Sequence, residues 1–287
     1  MKKLIASGII ILILAIVASV GYGVASSTLP WPEGPLYSID DADPSADLPE
    51  DRAEMMEIIA GHYAHYDVVS YEDLTTRSPM RTFIVSYGFT EFYVEDGQLY
   101  QADRFVHAEQ ILNQKNTTSR FAGDSVQAIA RRSTPVDMEF RDGAWRIYRP
   151  ETPTLLGISG DPLQPLSRDR DDPALLDPDG DGNPGVTVSL NIAGFLDAEI
   201  YITRREIFRN HLTVYSPDLI QGHVEDISEQ FVVGASHGFL DRPSNNQQHP
   251  DPGMNPLILR RVDPAIDSWE ELRELREDLF PATPAFY

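Results

Sequence analysis

The 287-residue chain contains no cysteine. That excludes disulfide stapling, thiolate metal sites and lipid attachment at a cysteine, so the fold is held by its core or by a metal with oxygen ligands. Basic residues are scarce: 23 Lys and Arg stand against 45 Asp and Glu, for a formal charge of −22. This balance argues against nucleic acid and against anionic membrane surfaces as partners, and it favours cations and solubility. No Gly-rich phosphate loop, no repeat of fixed period and no strand-helix alternation is present, which sets aside phosphate-cradling and parallel α/β architectures.

The one long apolar run is at the start. Lys2 and Lys3 precede Leu4 to Val20, and Gly23-Val24-Ala25 then leads to Ser26. A charged region, an apolar stretch and a small-residue cleavage site predict an export signal over residues 1–25. The apolar stretch is also near the lower limit for a spanning helix, so residues 4–20 retained as an inner-membrane anchor are the alternative. Either way the rest of the chain is expected outside the cytoplasm, in the periplasm, the cell envelope or the extracellular medium. From Ser26 the sequence is rich in Pro, Asp and small residues (Pro30, Pro32, Pro35, Pro44, Pro49) and reads as a linker over 26–52.

Residues 53–265 read as one antiparallel β domain. A short helix is expected over Glu54 to Ala60, then a strand through Tyr63, Val68 and Val69. Asp96-Gly97 and Asp142-Gly143 are the dipeptides that a two-residue type I′ turn requires, each between β-branched or aromatic runs. The second hairpin would pair Phe140 with Trp145 and Met138 with Ile147 on one face. The first would pair Val94 with Leu99 and Tyr93 with Tyr100, so that both faces carry apolar mass, as in a central position of a sheet. Further strands are predicted at 82–87, 104–111, 126–131, 186–192, 198–204, 211–215, 221–224 and 231–235. Many short strands without interleaved helices predict a mainly β fold, an antiparallel barrel or sandwich. In the last segment, 266–287, Ser268 with Glu271 forms a capping box, and Trp269, Leu272, Leu275 and Leu279 recur at helical spacing up to Pro281. One C-terminal amphipathic helix should pack on the sheet or cover a barrel end.

The run D-P-D-G-D-G-N-P-G over 177–185 carries the strongest chemical signal. Asp177, Asp179, Asp181, Gly182 and Asn183 occupy the first, third, fifth, sixth and seventh places of an EF-hand-type loop, where Ca²⁺ takes its oxygens and glycine permits the turn. The twelfth place is Val188 rather than a bidentate Glu, and the residues after Gly185 read as a strand. Three carboxylates this close repel by about 1 kcal/mol per pair even at the dielectric of water, a penalty that a cation removes. The candidate metal set is therefore Asp177, Asp179, Asp181 and Asn183, the ion is calcium, and its expected role is to pin the strand beginning at Val186. The loop alone offers about four oxygens, so Asp169, Asp171 and Asp172 or water would complete the shell.

Other motifs are weaker. Gly234-Ala235-Ser236-His237-Gly238 matches G-x-S-x-G, the elbow that exposes a nucleophilic serine in α/β-hydrolases. The stretch behind it, Phe239 to Pro256, carries Pro243, Pro250 and Pro252 and cannot form the helix the elbow requires, so a Gly-bounded strand end is the better reading. His62 and His65 would lie on opposite faces of a strand, which speaks against a shared metal. Glu109, Glu199 and Asp226 are candidate members of a hydrolytic carboxylate pair. Asn116-Thr117-Thr118 is a glycosylation sequon.

The loop resembles the aspartate-rich calcium loops of dockerins and thrombospondin type 3 repeats. Taken with the export signal, the acidic cluster over 169–172 and the later V-V-G-A-S before a Pro- and Asn-rich stretch, it also resembles a loose group of uncharacterised secreted proteins of proteobacteria. In these a D-x-D-G-D-G-x-P-G-V-T run leads directly into a strand. The resemblance covers roughly residues 169–240. It implies only that Asp177, Asp179, Asp181 and Asn183 are ion ligands. The expected function is an exported, non-enzymatic cell-envelope protein whose calcium-stabilised β domain binds a partner or small ligand. The alternative is an extracytoplasmic hydrolase using Ser236 or a carboxylate pair.

Overall fold

The computed structural model describes residues 28–37, 48–75, 80–121 and 132–287. The apolar run 4–20 and the strand predicted at 126–131 lie outside these residues. In chain order the elements are α1 (Arg52–Ile59), β1 (Gly61–Asp73), β2 (Met80–Glu95), β3 (Gln98–Leu112), β4 (Thr117–Phe121), β5 (Arg132–Pro135), β6 (Asp137–Arg141) and β7 (Ala144–Arg149). There follow β8 (Thr154–Leu156), β9 (Val186–Ile192), β10 (Leu196–Glu206), β11 (Phe208–Ser216), β12 (Leu219–Asp226), β13 (Glu229–Ala235), β14 (Asn246–Gln248), a short 3₁₀ turn, β15 (Pro256–Arg261) and α2 (Trp269–Leu279).

The strands form one antiparallel sheet in the order β13-β10-β9-β4-β3-β2-β1-β15-β12-β11-β7-β6, curled into a half-barrel. The mainly β, antiparallel fold class predicted from the sequence is thus the observed one. Both hairpins have the expected register, Val94 opposite Leu99 and Phe140 opposite Trp145, with Asp96 (φ 50°) and Asp142 (φ 54°) in the left-handed region that a type I′ turn demands. The first hairpin, β2-β3, is central in the sheet.

Alternation along the strands divides the side chains between two faces. On the inner face, one end of the curl is filled by Tyr63, Phe92, Leu99, Trp145, Ile147, Leu212, Val214 and Ile220, with Met55, Met56 and Ile59 of α1 packed against them. On the outer face, Tyr66, Val68, Phe83, Val85 and Tyr87 pack under Leu272 and Trp269 of α2 and under Phe280 and Phe286 of the tail. The capping box is formed, Ser268 Oγ accepting from Glu271 N while Ser268 N donates to Glu271 Oε2. Helix α2 therefore covers the outer face of the sheet rather than a barrel end.

Of the stretch read as a linker, the described parts lie along this domain. Leu29, Trp31, Leu36 and Tyr37 are partly buried on the outer-face cluster, and Trp145 Nε1 donates to Pro49 O at 2.8 Å. The apolar residues interleaved among the prolines give the segment something to bury, although they are too irregular to announce a strand or helix. Strand β15, between β1 and β12 in the sheet, was not expected from the sequence, because Pro250, Pro252 and Pro256 read as loop. Pro256 stands at its first residue, a strand position where a missing N–H is tolerated.

Candidate functional site

The acidic loop joins β8 to β9. Its base is closed by a bridge between Ile158 and Leu175 and by Gly185 N donating to Leu176 O at 2.6 Å. Gly180, Gly182 and Gly185 all have φ between 68° and 89°, and a Cβ on Gly185 would sit 2.6 Å from Ile202 O, so glycine is required there twice over. Asp177 accepts from Asp181 N at 3.1 Å and Gly182 N at 2.9 Å, one bond on each carboxylate oxygen. Asp179 Oδ2 accepts from Thr187 N at 2.8 Å, and Asp181 Oδ2 accepts from Thr187 Oγ1 at 2.5 Å. The Thr187 hydroxyl holds the Asp181 carboxyl below the usual carboxylate range, although burial opposes it, with Asn183 helping through its backbone and side-chain amides.

Asp177, Asp179 and Asp181 each bring one oxygen to within 4.8 Å of the others. Asp179 Oδ1 is buried without a hydrogen-bond partner, which fits an oxygen reserved for a cation. The upstream acids do not join this group: Asp169 Oδ1 accepts from Asp171 N and Asp172 Oδ1 from Ala174 N, each closing its own turn. Of the two ways expected for completing a shell, the upstream acids lie outside this cluster, since the two groups satisfy separate backbone turns, and water is the one that remains.

A second site has no counterpart among the sequence motifs. The inner face of the curl carries a chain of buried polar groups where strands far apart in sequence converge. His65 Nε2 lies 2.8 Å from Asp67 Oδ2, and its Nδ1 lies 2.8 Å from Thr90 Oγ1, which donates its single proton to Asp103 Oδ1 at 2.7 Å. With its proton given to Asp103, the Thr90 hydroxyl is left to accept from His65 Nδ1. Arg149 Nε stands 3.5 Å from Asp103 Oδ2. Burial pushes the Asp103 carboxyl up, but Arg149, His65 and the hydrogen bonds from Gln101 and Thr90 outweigh it and hold the group below its usual range.

Further along, Arg204 is 7% exposed and donates to Gln230 Oε1 at 3.1 Å and Tyr71 Oη at 3.3 Å. Its nearest carboxylates, Glu206 on Nε and Asp226 on Nη2, both stand off at 3.5 Å, and Nε makes no hydrogen bond. Burial raises the Glu206 carboxyl, with Arg204 opposing and Asp67 adding to the rise. Burial likewise pushes Asp226 up to about 7, against hydrogen bonds from Ser228 and with Asp67 again adding. Burial also lowers the Arg204 guanidinium from its ordinary value.

Two cavities flank this arginine. One, of about 130 Å³, is lined by His65, Asp67, Asp103, Arg149, Arg204 and Glu206 among others. The other, of about 160 Å³, lies between β2, β9, β10 and β13, with Ile84, Val188, Leu190, Ile200, Ile202 and Val232 on its walls. Tyr71, Ile84 and Arg204 line both.

The remaining motifs fall elsewhere. Ser236 is exposed just past β13. Its Oγ accepts from Glu199 N at 2.8 Å and contacts His237 Nδ1 at 2.9 Å, and a turn rather than a helix follows. Glu109 lies beside His107 and Arg276, and Glu199 accepts from Tyr201 Oη at 3.0 Å; strand alternation places both on the outer face, whereas Asp226 is inside. Asp226 is thus separated by the sheet from the other two, which bond different partners, and the carboxylates that influence Asp226 and Glu206 include Asp67. His62 and His65 lie on opposite faces, as expected: His62 stacks on Phe89 while His65 enters the buried chain. The signal missed in the sequence is a period of two, His65-x-Asp67-x-Val69-x-Tyr71 and Ile200-x-Ile202-x-Arg204-x-Glu206, which threads charge along inward positions. Among the described residues no helix is long and apolar enough to cross a membrane. Comparison of the chain with known protein families, curated proteins and solved structures found no match.

Proposed function

We propose that this chain is an exported, non-enzymatic β domain of the cell envelope that binds a small ligand inside the curl of its sheet, with Ca²⁺ at the loop over 177–185 fastening β9 to that wall. The observation that carries the reading is the pair of cavities meeting at Arg204. Interiors of this kind, apolar walls with a few convergent polar groups, are the usual form of a small-molecule site. A space of about 150 Å³ takes up a benzene-sized molecule, so each chamber is of ligand scale rather than a packing defect. The calcium role follows from the position of the loop. Asp179 and Asp181 both bond Thr187, the second residue of β9, and Val186, Val188 and Leu190 of that strand face the apolar chamber or its core. The ion would be held by Asp177, Asp179, Asp181 and Asn183, with water or backbone carbonyls completing the shell.

The ligand-binding reading is tested by calorimetric titration of the full chain with 1-octanol, a neutral apolar probe. Saturable one-to-one binding is expected. Heats no larger than those of dilution with octanol and with sodium octanoate alike, and an unchanged melting temperature at saturating probe, would remove it.

A further inference from the structure

We propose that the ligand of this interior site is a small monoanion with an aliphatic tail, of the class of an eight-carbon carboxylate, its head group on Arg204 and Tyr71 and its tail in the chamber between β9, β10 and β13. The proposal rests on the ligand-binding reading above and specifies its chemistry.

The polar atoms at the junction of the two chambers are donors. Arg204 Nε is buried without a hydrogen bond, and the Tyr71 hydroxyl, having accepted from Arg204 Nη2, keeps its own proton to give. A carboxylate reaching this point would take charge-assisted bonds from the guanidinium and the phenol. The resident acids compete weakly, since Glu206 and Asp226 both stand 3.5 Å from the guanidinium and burial disposes both toward their neutral forms. A buried guanidinium with such partners is short of negative charge, and an anionic ligand supplies it.

The charge count sets the valence. Among the described residues, Arg149 faces Asp103, whose carboxyl is held below its usual range, and Arg242, which also lines the chamber, is exposed to solvent, so Arg204 is the buried guanidinium left for the ligand. A dianion would leave its second charge unpaired in an apolar wall. The tail is set by the aliphatic part of the lining, Ile84, Val188, Leu190, Ile192, Ile200 and Ile202, and among the described residues no aromatic ring other than Tyr71 at the junction lines this chamber. From Val188 to Ile192 the β9 wall runs about 13 Å at the rise of an extended strand, which accommodates a medium-length chain rather than a long lipid. A cationic amphiphile would place its charge beside the Arg204 guanidinium, where like charges repel.

The test is a calorimetric titration of the full chain, with Ca²⁺ present, against sodium octanoate, 1-octanol and octylammonium chloride. Octanoate is expected to bind about tenfold or more tighter than octanol, the contribution of charge-assisted bonds at a buried site, and octylammonium the most weakly. Arg204→Met should bring octanoate close to the octanol affinity, lowering octanoate binding far more than octanol binding. Tyr71→Phe, which keeps the ring and its packing, should weaken octanoate several-fold and octanol less, and it carries the test if the Arg204 variant does not fold. Octanol binding as tightly as octanoate, or octylammonium binding tightest, would overturn the anion assignment while leaving the interior a ligand site. Binding of none of the three probes would overturn both.

Discussion

Replacing Asp226 by Asn should change the pH dependence of stability in a defined direction. The Asp226 side chain is buried on the inner face, one oxygen accepting from Ser228 N at 2.6 Å and the other facing the Arg204 guanidinium without a hydrogen bond. Burial raises its folded-state pKa from 3.8 to about 7. Below the lower value both states are protonated and the full stability is present. Between the two values the unfolded chain has lost a proton that the folded chain keeps, so stability falls as pH rises, by about 1.4 kcal/mol per pH unit, and levels off above the folded pKa. Between pH 4.5 and pH 8 this loss comes to about 3 kcal/mol. The amide introduced by Asp226→Asn has no proton to lose in this range and keeps an oxygen for Ser228 N. The difference in unfolding free energy, Asp226→Asn minus wild type, should therefore grow by about 3 kcal/mol across that range, measured by urea denaturation of both proteins in the same buffers. Taking the difference cancels the other titrating groups, such as Asp103 and Asp181, whose lowered values act in the opposite direction. Parallel stability curves, or a gap that widens toward acid pH, would show that Asp226 is ionised in the folded interior and would refute the reasoning.

Three further outcomes are expected. Gly185→Ala places a Cβ against Ile202 O at a residue with φ 89°, and should destabilise the domain by about 2 kcal/mol or more in urea melts, whereas Gly97→Ala, with the same handedness but open space, should cost about 1 kcal/mol. Titration with Ca²⁺ should give a saturable heat with a dissociation constant of about 0.1–1 mM and raise the melting temperature, and Asp179→Asn should abolish both responses; no heat and an unmoved melting temperature in the wild type would eliminate the metal. Ser268→Ala removes the side chain that accepts from Glu271 N and should cost about 1 kcal/mol, read as a lower urea midpoint with unchanged slope.

The sequence carried the local structure further than the site. Asp-Gly turns, the capping box and the alternating runs announced hairpins, helix α2 and most inner strands, since each depends on neighbours in the chain. The strands escaped where the local signal contradicted the place in the sheet. Pro256 hides β15, and the three-residue β8 and β14 are too short to show a period. The acidic loop was legible because its three aspartates fall within five residues. The interior site was not, because Asp67, Asp103, Arg149, Arg204 and Asp226 come from five strands brought together only by the curl of the sheet. Each of these charged residues, taken alone, resembles part of a solvated strand face. Only closure of one face makes them a buried chain of polar and charged groups.

The most direct measurement of ligand binding within the curl is methyl NMR of isoleucine-labelled full chain titrated with octanoate. Ile84, Ile192, Ile200 and Ile202 line the apolar chamber, while Ile220 and Ile258 belong to the packed cores on either face. Saturable shifts at the first four, with Ile220 and Ile258 unmoved, are the expected result. Unperturbed chamber methyls at saturating ligand, or shifts confined to Ile220 and Ile258, would contradict it.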